Sequence, residues 1–396
     1  MCKFITIMLI LFTSSFSFGQ VSEYKSKERD AYYERLKREH KEFKPIKKRE
    51  VLNFKNRYVD FHRIDDYTPF SDSLYYTPFQ LHYFDIFLES IEGDSMVSPK
   101  SEYIGNIDKM RILKYEKKEQ FEAFIYESSE FDDIFIREYG IWVALSYDSG
   151  STWEYLYTGI VQQQPLFLKW YSSVPLIKSN NELQIEACLL RQLTPSIYLD
   201  FGLTYEVVKD GFLLNIDLNT LRKDTDGDGL TDIVEEKLFT DSNNKDTDGD
   251  GITDNLDLNP RFSVPRTDKT EIFELALDLN VDKDSVVHIV SSLVDSKINF
   301  VNDTTETILI VSDSPDMQSV QPKSKRVIVL TEMEYNRFNR KYKNRLYRVW
   351  ITPLFKVDGE TETYLFSKDL GIYGGDYIVR KTERGWEIEM VSYWIS

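Results

Sequence analysis

The sequence predicts a mainly β protein, with an N-terminal antiparallel β domain, an acidic linker and a C-terminal α+β domain. Of its 396 residues, 41% are hydrophobic and 14% aromatic, which is enough apolar material for packed cores. Short runs of β-branched and aromatic residues recur between turn signals, a pattern typical of strands. The composition changes to Asp, Gly and Thr at about residue 217 and returns to the strand pattern after residue 260.

Charge and cysteine content exclude several classes of function. The formal net charge of −17 and the pI of about 4.9 argue against a nucleic-acid or anionic-membrane partner, because both would be repelled. Two cysteines are too few for a disulfide framework or a cysteine-built zinc site. Cys188 lies in an apolar run, which favours a buried, inert thiol.

The first 19 residues have the layout of a secretory signal peptide. Lys3 precedes an apolar run from Phe4 to Phe12, and small and polar residues lead to Gly19, where cleavage is predicted. The apolar run is too short to span a bilayer, and no later stretch reaches about 18 apolar residues. We therefore expect an exported protein, periplasmic, cell-surface or extracellular, without an integral membrane segment in the mature chain.

A charged leader follows, over residues 20–50, in which Lys, Arg and Glu are interspersed. The spacing predicts an exposed helix from Ala31 to Glu42 with ion pairs along it. Two interpretations are open, a basic patch that contacts a partner or a solvated leader. Charge runs of this kind favour the solvated leader.

Residues 51–216 carry the pattern of the β domain. Alternation at period two predicts strands at residues 121–126, 134–137, 140–145, 182–189 and 203–208. Long amphipathic helices are missing from this part of the sequence. We therefore expect antiparallel sheets in a sandwich or a barrel-like arrangement.

One eight-residue motif, Ser146 to Trp153, fits the pattern S-x-D-x-G-x-T-W. Asp148 is placed to bind turn amides, Gly150 permits a positive φ, and Trp153 can pack back onto a strand. The motif resembles the Asp-box of sialidases and other exported β-propellers, where it is a folding element away from the catalytic site. Propellers repeat the motif, whereas here it occurs once, so the resemblance implies a β-hairpin.

Residues 261–396 mix strands with a helix. Strands are predicted at residues 272–279, 286–294, 306–311 and 326–330, and a terminal hairpin joins residues 377–381 to 386–391. Thr331 and Glu334 form the pattern of a capping box, and apolar residues at helical spacing follow to Leu346. This combination predicts the α+β domain.

The linker, residues 217–260, contains two similar units, Asp224–Glu235 and Asp246–Asp257, offset by 22 residues. From Asp224 to Asp257 there are twelve acidic residues and two basic ones, Lys237 and Lys245. Such a segment repels itself unless a counter-charge is bound. A hard divalent cation with oxygen ligands supplies that counter-charge.

The spacing of the acidic residues matches a calcium loop. Carboxylates at positions 1, 3 and 5, a Gly at position 6, a carbonyl at 7 and ligands at 9 and 12 surround one ion. The predicted ligands are Asp224, Asp226, Asp228, the Leu230 carbonyl, Asp232 and Glu235 in the first loop, and Asp246, Asp248, Asp250, the Ile252 carbonyl, Asp254 and Asp257 in the second. Oxygen-only ligands favour Ca²⁺ over zinc or copper, and a carboxylate-rich cage suits Ca²⁺ better than Mg²⁺.

Two details depart from an EF-hand: Thr occupies position 8 of each loop, and long flanking helices are missing. With its strings DTDGDGLTD and DTDGDGITD and the ending Leu258-Asn259-Pro260, the segment resembles the thrombospondin type 3 repeat. The resemblance implies Ca²⁺ binding with little hydrophobic core, and it adds Asp241 as a ligand. Phe239 stands where that family usually has Gly.

The sequence thus favours an exported calcium-binding multidomain protein with a binding or structural role at the cell envelope and an unknown protein or glycan partner. In this hypothesis Ca²⁺ stiffens the linker between the two domains. The alternative is a secreted glycan-acting hydrolase with structural Ca²⁺, in which aromatics would line a cleft around two carboxylates about 5 to 10 Å apart. The sequence has no nucleophile elbow, Walker loop or dinucleotide fingerprint. It therefore leaves enzyme activity open and favours a non-enzyme.

Overall fold

The computed structural model describes residues 25–39, 45–71, 102–128, 140–161, 164–193, 205–277, 306–323, 325–342, 349–369, 373–383 and 385–395. The predicted signal peptide (1–19) and the predicted strands at 134–137 and 286–294 lie outside these ranges. The described fold is mainly β, as the sequence predicts. None of the helices in the described ranges has the length and apolar content needed to cross a membrane.

Short helices lie before and between the strands along the chain. The helices are α1 (Lys27–Glu39), α2 (Lys48–Leu52), α3 (Leu218–Leu221), α4 (Asp232–Leu238), α5 (Thr270–Ala276), α6 (Pro315–Gln318) and α7 (Glu332–Tyr342). The strands are β1 (Asp60–Arg63), β2 (Tyr103–Ile104), β3 (Ile107–Asp108), β4 (Ile112–Lys118), β5 (Phe121–Ser128), β6 (Gly140–Ser146), β7 (Glu154–Val161), β8 (Leu166–Leu168), β9 (Ile177–Ser179), β10 (Glu182–Gln192), β11 (Tyr205–Asp217), β12 (Glu306–Val311), β13 (Lys325–Leu330), β14 (Val349–Ile351), β15 (Phe355–Lys356), β16 (Thr363–Asp369), β17 (Tyr373–Thr382) and β18 (Gly385–Ile395).

Two larger antiparallel sheets form most of the described N-terminal part, and β2 and β3 pair in a separate two-stranded sheet. One has the order β1-β11-β10-β8, with β9 beside β10, and the other has the order β4-β5-β6-β7. Alternate side chains of both sheets, such as Ile125, Val143, Ile185 and Leu214, enter one shared hydrophobic core. A polar contact also joins the sheets, since the Ile177 amide donates to Glu116 at 2.8 Å.

The turn between β6 and β7 is built by the eight-residue motif. The Asp148 carboxylate accepts hydrogen bonds from the Thr152 amide at 2.8 Å and the Thr152 hydroxyl at 2.7 Å. These bonds lower the pKa of Asp148 to about 2. Gly150 takes a φ of +85°, and the Trp153 ring lies 5.0 Å from that of Phe124. The motif thus closes one hairpin through local bonds.

The C-terminal sheet has the order β13-β12-β14-β16-β17-β18, with β15 beside β16. The pairs of β12 with β13 and β14 are parallel and the others are antiparallel. The predicted strand at 272–279 is wrong in its described part, because α5 occupies Thr270–Ala276. The Thr267 hydroxyl accepts from the amides of Lys269 at 3.1 Å and Thr270 at 3.2 Å. These bonds order the turn that leads into α5, and the helix buries Ile272 and Phe273.

The capping box predicted for α7 is confirmed. The Thr331 amide donates to Glu334 Oε2 at 2.9 Å, and the Glu334 amide donates to Thr331 Oγ1 at 3.2 Å. Two amides that the helix leaves unbonded at its start are satisfied in this way. Tyr335, one turn into the helix, is buried in the core.

Replacing the cap residue Thr331 by Ala should lower the free energy of unfolding by about 1 kcal/mol, because the Glu334 amide loses its acceptor. Urea unfolding of the variant beside the wild type measures the difference. Met333→Ala, at an exposed position of the same helix, is the matched control and should change stability little. Equal losses in the two variants would contradict a capping role for Thr331.

The N-terminal and C-terminal cores touch across the strands β12 and β13. Ile308 and Ile310 point into the C-terminal core, whereas Val311 and Leu330 belong to the core of the N-terminal sheets. The C-terminal sheet therefore contributes to both cores. The boundaries at 51–216, 217–260 and 261–396 stay predictions.

The helix of the charged leader is observed at Lys27–Glu39, earlier than the predicted Ala31–Glu42, of which residues 40–42 lie outside the described ranges. It is not a solvated element. Arg29 pairs with Asp376 at 2.6 Å, and the Tyr33 hydroxyl donates to Ser367 Oγ at 2.7 Å. The favoured interpretation of a solvated leader is therefore wrong for α1, because its polar groups find buried partners over 300 residues away in the chain.

Candidate metal centre

Two clusters of three carboxylates form in the acidic segment. One oxygen from each of Asp224, Asp226 and Asp228 lies within 4.8 Å of the other two. The same spacing brings together Asp246, Asp248 and Asp250. Residues at positions 1, 3 and 5 of each unit thus converge as the repeat predicts, and each triplet could hold a metal ion.

The first carboxylate of each loop folds the backbone around it. Asp224 accepts from the amides of Gly227 at 2.8 Å and Gly229 at 3.1 Å, and Asp246 repeats both bonds with Gly249 and Gly251 at 2.9 Å. The four glycines have φ between +76° and +103°. Only Gly takes such φ values without strain. The glycines at positions 4 and 6 therefore let two amides point at one carboxylate.

The carboxylates at position 3 leave one oxygen unbonded. Oδ1 of Asp226 accepts from the Asp228 amide at 3.2 Å, and Oδ1 of Asp248 accepts from the Asp250 amide at 3.1 Å. Oδ2 of both Asp226 and Asp248 is buried and has no hydrogen-bond partner. A buried anionic oxygen without a donor is unstable unless a cation neutralises it.

The carboxylates at position 5 accept hydrogen bonds from backbone amides. Asp228 accepts from the Leu230 amide at 2.7 Å and, across the repeat, from the Asn255 amide at 3.1 Å. Asp250 accepts from the Ile252 amide at 2.8 Å. Leu230 and Ile252, the predicted carbonyl ligands at position 7, therefore lie two residues after these carboxylates. The Leu230 side chain is buried and that of Ile252 is exposed.

The carboxylates at position 9 close the loops. Asp232 accepts from both the amide and the hydroxyl of Thr225, at 2.8 and 2.9 Å, and also pairs with Lys223 at 2.6 Å. Asp254 binds Thr247 in the same way, at 2.9 and 2.6 Å. These oxygens face threonine donors, and neither residue joins a triplet. Asp232 and Asp254 thus close the loops through these threonines, and their role as ligands stays a prediction.

The carboxylates at position 12, Glu235 and Asp257, are the most informative groups of the centre. Both are buried, and neither Glu235 oxygen nor Oδ2 of Asp257 has a hydrogen-bond partner. Burial and the charges of Asp226 and Asp228 raise the pKa of Glu235 to about 8. Burial, with Asp250 and Asp248, raises the pKa of Asp257 to about 6. Each group therefore lies close enough to its own triplet to be repelled by it.

Asp241, the ligand added by the resemblance, belongs to neither triplet. It is exposed, and its Oδ1 accepts from the amide of Asn243 at 3.1 Å and from the side chain of Asn243 at 3.2 Å. The preceding Phe239 ends α4 with φ +60° and ψ +30°, the left-handed conformation that Gly usually supplies. Phe239 thus makes the turn that its side chain disfavours.

The first loop is fixed to the N-terminal sheets. α4, which carries Glu235, packs against β7, and the Tyr58 hydroxyl donates to Glu236 beside it. Arg222, just before the loop, donates to both oxygens of Glu154 at 2.8 and 2.6 Å. A bidentate bond of this kind fixes orientation as well as distance.

The second loop is fixed to the C-terminal sheet. Arg326 of β13 is buried and donates to the carbonyls of Asn255 at 2.9 Å and Asp257 at 3.2 Å. Arg261 pairs with Glu334 of α7 at 2.7 Å. Sequence analysis missed Arg326, since no local pattern connects it to a loop 69 residues earlier. The first loop is thus bonded to the N-terminal sheets and the second loop to the C-terminal sheet.

The residues present fit a hard cation. The donors are all oxygens, and the unbonded buried atoms come from positions 3 and 12 of each loop. No protein-family model, curated protein or solved structure matches the chain. The centre therefore rests on its own geometry, which supports metal binding at both triplets without fixing the identity of the metal.

Proposed function

We propose that this is an exported calcium-binding multidomain protein with a binding or structural role at the cell envelope, in which Ca²⁺ stiffens the segment between the β domain and the α+β domain. The observation that carries the proposal is the burial of Glu235 and Asp257 beside the two triplets, with both oxygens of Glu235 and Oδ2 of Asp257 lacking a hydrogen-bond partner. In water such groups would be solvated. Their burial next to like charges is favourable only if a cation binds.

Calcium is the cation that the ligand set favours. Five predicted carboxylates and a carbonyl per loop suit Ca²⁺, which accepts six to eight oxygen ligands in flexible geometry, whereas Mg²⁺ keeps most of its waters. Ligands without nitrogen or sulfur disfavour zinc and copper. The resemblance of residues 224–260 to the thrombospondin type 3 repeat supports the same choice.

The proposed role of Ca²⁺ follows from the attachments of the loops. The first loop is bonded to the N-terminal sheets through Arg222, and the second to the C-terminal sheet through Arg326. Cation binding joins the acidic groups that would otherwise repel each other. Loops that hold Ca²⁺ therefore form a stiff connection between the N-terminal sheets and the C-terminal sheet. A protein or glycan partner would then bind to a surface of fixed geometry.

Export completes the proposal. The signal-like residues 1–19 direct the chain out of the cytoplasm. Outside the cell, the calcium concentration is high enough to fill weak sites. Intact Met1 in protein collected from outside the cytoplasm, read by N-terminal sequencing, would contradict signal cleavage. A structural role suits these conditions better than sensing, because the sites stay filled.

Calorimetric titration of the protein with Ca²⁺ should give saturable binding of about two ions. The double variant Asp226→Ala, Asp248→Ala should lose both, because it removes the unbonded oxygen of each triplet. Parallel titrations should give weaker binding for Mg²⁺ and none of this kind for Zn²⁺.

Asp241→Ala is the matched control, since it removes one carboxylate from the same segment without touching either triplet. It should bind Ca²⁺ like the wild type. Loss of an ion in this variant would instead make Asp241 a ligand. Absence of Ca²⁺ binding in the wild type would contradict the proposed function.

A further inference from the structure

The two cation loops differ in the side chain at position 12. It is Glu235 in the first loop and Asp257 in the second, whereas positions 1, 3, 5 and 9 are Asp in both loops and positions 4 and 6 are Gly. A Glu carboxyl extends one methylene further from the backbone than an Asp carboxyl. The two sites therefore need not present the same number of oxygens to a cation.

Glu235 has both carboxyl oxygens available to a cation. Its side chain is fully buried, and neither oxygen has a hydrogen-bond partner among the residues that the structure describes. The residue lies within α4, and the amides of a helix bond to carbonyls of the preceding turn. Burial and the charges of Asp226 and Asp228 raise the pKa of Glu235, so this carboxyl lies near the first triplet.

Asp257 has only one oxygen available in this way. Its Oδ1 accepts a hydrogen bond from the Asn259 amide at 2.8 Å, and its buried Oδ2 has no partner in the described part of the chain. Pro260 follows Asn259 and disfavours a helical conformation there, so the Asn259 amide can point back to Asp257. Oδ2 is then the single carboxyl oxygen that Asp257 offers to the second site.

Bonds to the C-terminal part of the chain keep Asp257 in this position. The Asn259 side chain donates to the carbonyls of Gln318 and Val320, both at 3.0 Å. The buried Arg326 donates to the Asp257 carbonyl at 3.2 Å. A side-chain rotation that presented both Asp257 oxygens to a cation would break the bond from the Asn259 amide. The first loop therefore offers one carboxyl oxygen more than the second.

The second site is also more open to solvent. Asp250 and Ile252 are exposed, whereas their counterparts in the first loop, Asp228 and Leu230, are half-buried and buried. Ca²⁺ accepts many oxygen ligands, including bidentate carboxylates, whereas Mg²⁺ requires octahedral geometry and keeps several waters. An open site with one carboxyl oxygen fewer has room for those waters.

We propose that the first loop selects Ca²⁺ over Mg²⁺ through both oxygens of Glu235, whereas the second loop, with one oxygen of Asp257, also accepts Mg²⁺. This inference rests on the proposed function, which assigns Ca²⁺ to both loops without separating them. Mg²⁺ binds the second loop more weakly than Ca²⁺ does, so it competes only when it is in excess. Where both ions are present, the first loop holds Ca²⁺ and the second exchanges one ion for the other.

Calorimetric titration of the whole protein with Ca²⁺, without Mg²⁺ and with Mg²⁺ in excess, tests the inference. Mg²⁺ should raise the apparent dissociation constant of one of the two Ca²⁺ ions at least about tenfold and leave that of the other within about twofold. Two single variants assign the ions to the loops. The ion that remains in Asp226→Ala should be displaced by Mg²⁺, and the ion that remains in Asp248→Ala should resist it.

Glu235→Asp exchanges the position-12 residue of the first loop for that of the second. The shorter side chain should make both Ca²⁺ ions sensitive to Mg²⁺, because the first loop loses the reach that brings two oxygens to the cation. Glu271→Asp makes the same change at an exposed position of α5 and is the matched control. This control should keep one resistant ion, as in the wild type.

The outcomes separate this inference from the proposed function. An equal effect of Mg²⁺ on both Ca²⁺ ions of the wild type would overturn the inference and leave calcium binding in place, and this comparison needs no variant. A first site that still resists Mg²⁺ in Glu235→Asp would overturn it as well. No calcium binding in the wild type would remove the proposed function, and this inference with it.

Discussion

Chelation of calcium should lower the free energy of unfolding of this protein by about 5 kcal/mol. A ligand that binds only the native state stabilises it by about 2.7 kcal/mol when its free concentration is a hundredfold above the dissociation constant, and two loops double that figure. The double variant Glu235→Gln, Asp257→Asn should reverse part of the loss, because it removes two buried carboxyl groups whose ionisation is disfavoured by burial and by the triplets.

The order of stability of the variant and the wild type should therefore reverse between chelator and Ca²⁺. In chelator the variant is expected to be the more stable protein, since its amides are neutral and no longer add to the repulsion. In Ca²⁺ it is expected to be the less stable one, since each loop has lost its position-12 carboxylate. Thermal unfolding of both proteins in both buffers measures the four stabilities.

A matched control changes the same two functional groups elsewhere. Glu387 and Asp66 are exposed, so Glu387→Gln, Asp66→Asn should leave both stabilities near those of the wild type. Parallel losses of the Glu235 and Asp257 variant in the two buffers would contradict a cation at position 12. They would mean that these carboxylates matter for packing alone.

The triplets were predictable because their geometry is local. A carboxylate at every second position and Gly at positions 4 and 6 bend the backbone so that Asp224, Asp226 and Asp228 converge. The same locality explains the capping box of Thr331 and the hairpin closed by Asp148. In each case the donors and acceptors lie within a few residues of one another.

The position-9 residues have protein partners that the spacing pattern does not reveal. The pattern makes Asp232 and Asp254 ligands, but each has a Thr seven residues earlier that offers both an amide and a hydroxyl. These donors close each loop, and the role of both carboxylates as ligands stays a prediction. The Thr at position 2 was visible in both units of the sequence, and it is the signal that would have suggested this role.

Long-range partners could not be predicted. Arg326 meets the second loop across 69 residues, and Arg29 meets Asp376 across 347 residues. A run of charged residues predicts that a segment is polar. It does not predict that a distant buried carboxylate will bind one of its arginines. The sequence therefore favoured a solvated leader, although α1 binds Ser367 and Asp376 of the C-terminal sheet.

Lys169→Met should lower the free energy of unfolding by about 3–5 kcal/mol, because it breaks a buried ion pair and leaves a carboxylate without its cation. The Lys169 side chain has no exposed surface, and its ammonium contacts Asp210 Oδ1 and the Thr68 carbonyl. Asp210 also accepts from the Phe70 amide at 2.8 Å. The pair therefore pins the chain around residue 68 to the sheet formed by β10 and β11.

Urea unfolding followed by tryptophan fluorescence measures the loss, and Lys178→Ala is the matched control. Lys178 pairs with Glu182 at 2.6 Å, but its side chain is 45% exposed, so its removal should change stability by about 0.5 kcal/mol or less. A small loss in Lys169→Met, similar to that of Lys178→Ala, would mean that water reaches Asp210 when the ammonium is removed. A large loss would place the segment around Thr68 within the cooperative unit of the N-terminal sheets, to which the first cation loop is attached.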